Sequence, residues 1–209
     1  PRTFSSAASD VYKRQYYNYD MNDYPFGIVD SLISELKINE LLAKNDSVNT
    51  DESGEFDDWL ELFNPTDQPI SLAGLYLTDD LSELTKWQFS DSMESIMPGD
   101  YLLIWCDEDI SQGNQHTNFK LSADGETVVL TSRNGITIID SVSYGTQIPN
   151  QSFGRIQDGE SDWGILHPTP AYSNMQLSTV LNEIIPKNFY LFQNFPNPFN
   201  PQTIIRYNI

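Results

Sequence analysis

Short apolar runs alternate with turn-forming clusters along most of the chain. Runs of aliphatic, aromatic and β-branched residues end at groups of Gly, Pro, Asn, Asp and Ser, such as Met97-Pro98-Gly99-Asp100. This alternation indicates short strands joined by tight turns, because an amphipathic helix needs a longer run with apolar residues about three or four positions apart. The pattern predicts nine strands, at residues 38–44, 59–64, 75–77, 86–89, 101–106, 118–121, 127–131, 136–144 and 151–156.

One hairpin is predicted with particular clarity. Residues 127–131 and 136–139 are rich in β-branched side chains, which suit the pleated surface of a strand. Asn134-Gly135 lies between these two runs, and this dipeptide readily adopts the positive φ that a tight reversal needs. The segment is therefore predicted to form two antiparallel strands.

Many short strands at regular spacing predict an all-β fold. About nine strands over roughly 120 residues are typical of an immunoglobulin-like β-sandwich with extended flanking linkers. We assign residues 37–175 to the sandwich, and we interpret residues 16–36 as a linker or the end of an upstream domain. Several prolines indicate an extended exit over residues 165–187, of which 176–187 are assigned as linker.

Both ends of the chain carry distinctive segments. Residues 10–15, DVYKRQ, match the translation of a transposase adapter used in DNA library preparation, so residues 1–15 are interpreted as an adapter-derived artefact. Near the other end, a proline-rich motif contains Asn194, Pro196, Asn197, Pro198, Phe199, Asn200 and Pro201. With this motif, residues 188–209 resemble the start of the C-terminal sorting domains of bacterial proteins exported by type IX secretion. They are expected to be a truncated domain of that kind, with these seven residues as its sorting signal.

The central part of the chain carries a series of motifs in a fixed order. They are Ile38-Asn39-Glu40, Asp58-Trp59-Leu60-Glu61-Leu62-Phe63-Asn64, Ile70 to Asp79, Trp87-Gln88-Phe89, Pro98 to Leu102, Phe119 to Ser122, Gly125, Ile139 to Val142, Ser152 to Arg155, Asp158-Gly159, Trp163, Thr169-Pro170 and Asn174. Together these motifs resemble the lamin tail domain, a family of immunoglobulin-like sandwiches found in nuclear lamins and in secreted bacterial proteins. One departure is Leu75, where the family often has Trp.

Charge and composition narrow the classes of partner. The formal net charge is −19, from 30 acidic and 11 basic residues, and such a field repels nucleic-acid phosphates and anionic lipids. No apolar run approaches the roughly 20 residues that span a bilayer. The single cysteine, Cys106, rules out an internal disulfide and is expected to be a buried residue at the end of a strand.

The residues favour no catalytic chemistry. The two histidines, His116 and His167, are expected in polar loops, and no His or Cys follows at the spacing of a zinc-binding motif. No G-x-S-x-G elbow and no glycine-rich phosphate loop occurs. The segment is therefore expected to be non-catalytic and to hold no cofactor, with one weak exception.

That exception is an acidic turn between the first two predicted strands. Oxygen-bearing side chains alternate there around Gly54, at a spacing similar to that of a calcium-binding loop. The twelfth position is Leu60, where such loops place a bidentate Glu, so binding is expected to be weak, and a plain acidic turn is the simpler interpretation. The candidate calcium ligands are Asn49, Asp51, Ser53 and Asp57.

The function expected from these observations is that of a binding, adhesion or spacer module. The location would be extracellular or on the outer surface of a bacterium. Partners would be the type IX secretion machinery, through the C-terminal segment, and a cell-surface protein or glycan. The alternative is a C-terminal accessory module of a secreted nuclease, protease or kinase-like enzyme. Candidate aromatic contacts, which could equally be packing residues, are Tyr76, Tyr101, Trp105 and Tyr144.

Overall fold

The structure, a computed structural model, describes residues 31–175 and the backbone of two further short strands. The described strands are β1 (Lys37–Leu42), β2 (Trp59–Phe63), β3 (Tyr76–Thr78), β4 (Trp87–Gln88), β5 (Tyr101–Trp105), β6 (Glu126–Thr131), β7 (Ile138–Tyr144), β8 (Ser152–Arg155), β9 (Trp163–Leu166), β10 (Tyr190–Leu191) and β11 (Tyr207–Asn208). β10 pairs with β11, and both lie in the segment that resembles a sorting domain.

β1 to β9 form two antiparallel sheets. The large sheet has the order β5-β2-β1-β8-β9, and the small sheet has the order β4-β3-β6-β7. Leu60, Leu62 and Ile104 of the large sheet and Leu77, Val128 and Leu130 of the small sheet belong to one buried cluster. Two sheets that enclose a shared apolar layer form a β-sandwich, which confirms the predicted fold class.

Eight of the nine predicted strands are present, and the ninth is wrong. Residues 118–121 make only an isolated bridge, between Lys120 and Asp107. The apolar pair Phe119 and Leu121 is buried, as its alternation suggested, but the hydroxyl of Thr117 donates a hydrogen bond to the carbonyl of Phe119. That local bond takes an acceptor that a ladder would use, so the segment covers the core without joining a sheet.

Both margins of the sandwich differ from the assignment made from the sequence. Ile33 and Leu36, in the segment interpreted as a linker or the end of an upstream domain, are 4% and 0% exposed and belong to the core cluster. β9 occupies the start of the predicted extended exit. Trp163 of β9 is half-buried at the edge of the sheet, packs against the core cluster and stacks on Phe153 at 5.3 Å. An edge strand of four residues with a central glycine gives too weak a pattern to be recognised in the sequence.

The predicted hairpin is formed by β6 and β7. The two strands pair from Glu126 with Tyr144 to Thr131 with Ile138, with one register shift near the turn. Gly135 has φ of +68°, as the Asn-Gly signal predicted. Near the turn, where β7 pairs with Leu130, Asp140 of β7 accepts a hydrogen bond from Arg155 of β8 at 2.9 Å, which joins the two sheets.

Residues 167–175, which we name the covering segment, lie on the outer face of the large sheet. Thr169 contacts Glu40 and Asn174 contacts Arg155, so the segment crosses β1 and β8. Gly154 of β8 makes this close approach possible. A Cβ atom there would lie 2.8 Å from a Leu166 methyl and 3.1 Å from both the Asn174 amide and the Glu40 side chain.

We expect Gly154→Ala to destabilise the protein by about 1–3 kcal/mol, because the added methyl group displaces the covering segment from the sheet. Urea denaturation of the full chain measures the change. The matched control is Gly145→Ala, since a Cβ at Gly145 meets no atom within 4 Å. Equal unfolding midpoints for the two variants would show that the covering segment does not depend on this contact.

Candidate functional site

Two long loops meet at one end of the large sheet, which we name the loop pole. Leu42, Trp59 and Trp105 lie side by side there, because β1 pairs with β2 and β2 with β5. They form a small apolar cluster apart from the main core. The β1–β2 loop, residues 43–58, and the loop after β5, residues 106–118, both start from this platform, which brings their polar side chains together.

The predicted calcium residues take different roles in the first loop. Asn49 accepts a hydrogen bond from the indole of Trp59 at 2.8 Å. Asp51 Oδ1 accepts the backbone amides of Ser53, at 2.9 Å, and of Glu55, at 2.8 Å, which closes the turn. Carboxylate oxygens of Asp51, Glu55 and Asp57 lie within 4.8 Å of one another. Asp51 and Asp57 are thus brought together, with Glu55 as a third carboxylate that the sequence pattern did not include.

His116 differs most from its expected setting. It is 1% exposed, with Nδ1 2.5 Å from Asp107 and Nε2 3.1 Å from Glu52. Burial lowers the pKa of His116, but the two carboxylate contacts outweigh it and raise the pKa above the ordinary value. Glu52 is 64 positions away in sequence, and a search for closely spaced ligands could not have found this contact.

The loop pole concentrates negative charge. Atoms of Asp51, Glu52 and His116 that could bind a metal lie within 4.8 Å of one another, in a second group that shares Asp51 with the first. Burial raises the pKa of Asp57, and the charges of Asp107 and Asp51 raise it further. Such an arrangement can attract a divalent cation, because a cation relieves the repulsion between neighbouring carboxylates.

A groove of about 280 Å³ opens beside this pole, between the edge strand β4 and the loop after β5. The side chains along it are mostly uncharged and capable of hydrogen bonding, with Trp87 and Ile110 as apolar parts. Its lining residues are Lys86, Trp87, Gln88, Ser90, Ile110, Gly113, Asn114, His116 and Asn118.

A second polar cluster lies under the covering segment and was not predicted. Glu40 and Glu61, opposite each other on β1 and β2, are both 0% exposed. Glu40 accepts hydrogen bonds from the hydroxyl of Ser152 and from the amide and hydroxyl of Thr169. Glu61 accepts hydrogen bonds from Asn39 at 3.2 Å and from the amide of Ala171 at 2.7 Å.

Burial governs the ionisation of both carboxyl groups. It raises the pKa of Glu40, and together with the charge of Glu40 it raises the pKa of Glu61 to about 9. Glu61 therefore holds its proton at neutral pH. The alternation of Glu61 with Leu60 and Leu62 shows that they occupy opposite faces of β2, but it does not show whether the outer face is covered.

Asp158 extends the cluster towards the opposite end of the sheet, which we name the attachment pole. Its carboxylate accepts hydrogen bonds from the amide of Asn39 at 3.0 Å, the hydroxyl of Tyr101 at 2.9 Å, and the hydroxyl of Ser173. Burial and the bond to Asp158 raise the pKa of Tyr101. These contacts fix the end of the covering segment beside the start of β1.

A family model described as Lamin Tail Domain matches residues 31–146. The chain belongs to the lamin tail domain family. No curated protein and no solved structure matches it. The match begins at the segment that contributes Ile33 and Leu36 to the core. It ends after β7, before the strands and the covering segment that complete the large sheet.

Several motifs that suggested the lamin tail domain contribute residues to the covered polar cluster. Glu40 and Glu61 come from its first two strand motifs, and Thr169 and Asn174 from its last. Asn174 donates to the carbonyl of Arg155 at 2.7 Å. These four residues of the lamin tail motifs are therefore part of the scaffold.

The remaining predicted residues are placed as follows. Tyr144 and Trp105 are each 7% exposed and Tyr101 is half-buried, so these aromatic residues mainly pack, while Tyr76 is partly exposed beside Gln88. Cys106 is buried, as predicted, and burial raises its pKa. The residues of the predicted sorting signal lie outside the described part of the chain. Within the described residues, no helix is both long enough and apolar enough to span a membrane.

We expect Glu61→Gln to reduce the pH dependence of stability. The pKa of Glu61 is higher in the folded state than its ordinary value of 4.5, so the folded state binds more protons and stability falls as pH rises from about 5 to about 9. Glutamine is uncharged and similar in shape to the protonated carboxyl group, so the variant should not lose this stability as pH rises. Each pKa unit corresponds to about 1.4 kcal/mol, so the effect reaches a few kcal/mol by about pH 8.

Urea denaturation of the full chain at several pH values measures this difference. Glu94→Gln, which changes an exposed carboxyl group, is the control and should leave the pH dependence unchanged. If Glu61→Gln and the native protein lose stability equally between about pH 5 and about pH 9, Glu61 is ionised in the fold and this account of the cluster is wrong.

Proposed function

We propose that this lamin tail domain is a non-catalytic binding module on the outside of a bacterium, and that it binds a glycan in the groove beside β4. The observation that carries the proposal is the separation of the groove from the points where the chain enters and leaves the sandwich. Binding and attachment then use opposite poles of one rigid body.

The two attachment points lie together. Lys37 begins β1 opposite Phe63, at the attachment pole, and Asn174 of the covering segment contacts Asn39. The groove and the two loops lie at the loop pole, roughly 15 Å away along strands of about five residues. A spacer gains length when the chain enters at one end and leaves at the other. This arrangement adds little length, so it favours binding over spacing.

The chemistry of the groove favours a neutral, hydroxyl-rich ligand. Gln88, Asn114 and Asn118 carry amides, which both donate and accept hydrogen bonds, and Ser90 adds a hydroxyl group. The rest of the surface is acidic, since the chain carries a net charge of −19. Acidic partners are disfavoured by that field, whereas an uncharged glycan experiences no repulsion.

Export by type IX secretion is the second part of the proposal. It is supported by the resemblance of residues 188–209 to the start of a sorting domain, with the motif between Asn194 and Pro201. The secretion machinery would then be the partner of that segment, while the sandwich performs the binding at the cell surface. The two roles rest on separate parts of the chain.

We expect the full chain to bind selected members of a neutral glycan array, and Asn114→Ala to weaken that binding. Loss of one amide contact corresponds to about 1–1.4 kcal/mol, or about fivefold to tenfold in Kd. The control is Gln157→Ala, which removes an exposed amide on the β8–β9 loop, outside the groove. An equal loss of glycan affinity in both variants, or no binding of the native chain to any glycan, would contradict the assignment of the groove as the binding site.

We further expect the full chain to pass unretained through a phosphate-bearing column at low salt, because its net charge opposes phosphate binding. The measurement is the elution volume compared with that of a neutral protein of similar size. Retention that salt reverses would show a nucleic-acid-binding surface and would contradict the choice of a neutral ligand.

A further inference from the structure

The loop pole brings one histidine and two carboxylates from distant parts of the chain within metal-binding reach. Potential ligand atoms of Asp51, Glu52 and His116 lie within 4.8 Å of one another. Glu52 Oε1 and His116 Nε2 are 3.1 Å apart, close to the separation of about 3.3 Å between two ligands on a tetrahedral zinc ion. A cluster of acidic groups alone shows little, so the argument depends on two further observations.

The first is a buried oxygen without a partner. Asp51 is 7% exposed, and its Oδ1 atom accepts two backbone amides, whereas its Oδ2 atom accepts no hydrogen bond from the described residues. Gln112 Oε1, on the facing loop, is also buried and has no hydrogen-bond partner within residues 31–175, while the side-chain amide of Gln112 donates to Glu55 at 2.7 Å. A buried carboxylate oxygen without a donor calls for a water molecule or a cation.

The second is the orientation of the His116 ring. Nδ1 lies 2.5 Å from Asp107, a residue that is 8% exposed and whose other oxygen accepts the amide of Asp109 at 2.9 Å. When Nδ1–H donates to Asp107, Nε2 faces Glu52 and Asp51, and loss of the Nε2 proton would present a lone pair to a metal ion bound between them. A histidine that donates one ring N–H to a carboxylate and binds the metal through its other nitrogen is the usual arrangement around protein-bound zinc.

We propose that Asp51, Glu52 and His116 bind a divalent transition-metal ion, with Zn²⁺ as the representative ion, and that the ion fastens loop 43–58 to loop 106–118. One nitrogen and two oxygen ligands suit zinc and leave a fourth position for water. The oxygen-only group of Asp51, Glu55 and Asp57 would instead suit Ca²⁺. Because both groups use Asp51, the two sites compete for one residue and a single set of variants distinguishes them.

The site also explains how a strongly acidic pole can be ordered. Glu52 is 60% exposed at its side chain, whereas His116 is 0% exposed, so the ion would be reached from solvent on the Glu52 side. Its charge would offset the repulsion among Asp51, Glu52 and Asp57. Binding would therefore stabilise the fold, independently of any glycan in the groove.

The test starts from the full chain treated with a chelator and then titrated with Zn²⁺ or Ca²⁺ by calorimetry. We expect one Zn²⁺ per chain. At about a hundredfold excess of Zn²⁺ over Kd, the Tm should rise by about 5–10 °C. Co²⁺ in place of Zn²⁺ should give visible absorption bands of a four-coordinate site, which report a defined coordination geometry instead of loose attraction to acidic groups.

Two matched variants locate the ion. Glu52→Gln, at a largely exposed side chain, should fold as the native protein does and bind Zn²⁺ at least about tenfold more weakly. Glu55→Gln, in the same loop and also exposed, should bind Zn²⁺ with native affinity. His116→Gln should abolish the Co²⁺ bands. If this substitution of a buried residue prevents folding, Glu52→Gln still tests the site, because Glu52 is largely exposed.

Three results would overturn the proposal. One is the absence of saturable Zn²⁺ binding by the native chain. Another is weaker metal binding in Glu55→Gln with native binding in Glu52→Gln, which would place the ion in the oxygen-only group. The third is a Tm rise with Ca²⁺ but not with Zn²⁺, which would support the calcium interpretation of the turn instead.

Discussion

The covering of Glu40 and Glu61 by residues 167–175 is the contact on which the completed sandwich depends. Two carboxyl groups removed from water destabilise a fold unless nearby donors replace the lost hydration. Thr169 and Ala171 supply such donors to Glu40 and Glu61. Without the covering segment, both acids would face water on the outer side of β1 and β2. The segment and the acids therefore require each other, and this pairing places the end of the sandwich beside its first strand.

The same contact explains why the family match and the folded unit differ in extent. The family model ends at residue 146, but β8, β9 and the covering segment complete the large sheet and enclose Glu40. Gly154 permits the close approach, and Arg155 links the large sheet to Asp140 of the small sheet. A sandwich cut at residue 146 would leave β1 as an edge strand and leave the two acids in water. We therefore regard residues 31–175 as the unit of folding.

More of the fold than of the candidate site could be predicted from the sequence. Turn dipeptides and β-branched runs act locally, so the hairpin around Gly135 and eight of nine strands were correctly predicted. Which face of a sheet is covered depends on a segment about a hundred residues away, and the alternation around Glu61 contains no such information. The same limit applies to His116. Its isolation in sequence argued against a metal site, whereas the pairing of β2 with β5 brings it to Glu52.

The two poles of the large sheet use acidic residues in opposite ways. At the attachment pole, Asp158 accepts hydrogen bonds from several donors, so groups within the protein satisfy its carboxylate oxygens. At the loop pole, Asp51 retains a buried oxygen that no donor in the described part of the chain reaches, although amide groups satisfy its other oxygen. A scaffold can satisfy a buried acid with its own donors, as it does for Glu40. An acid left unsatisfied on a loop beside a groove is therefore better explained by something that binds there than by the requirements of folding.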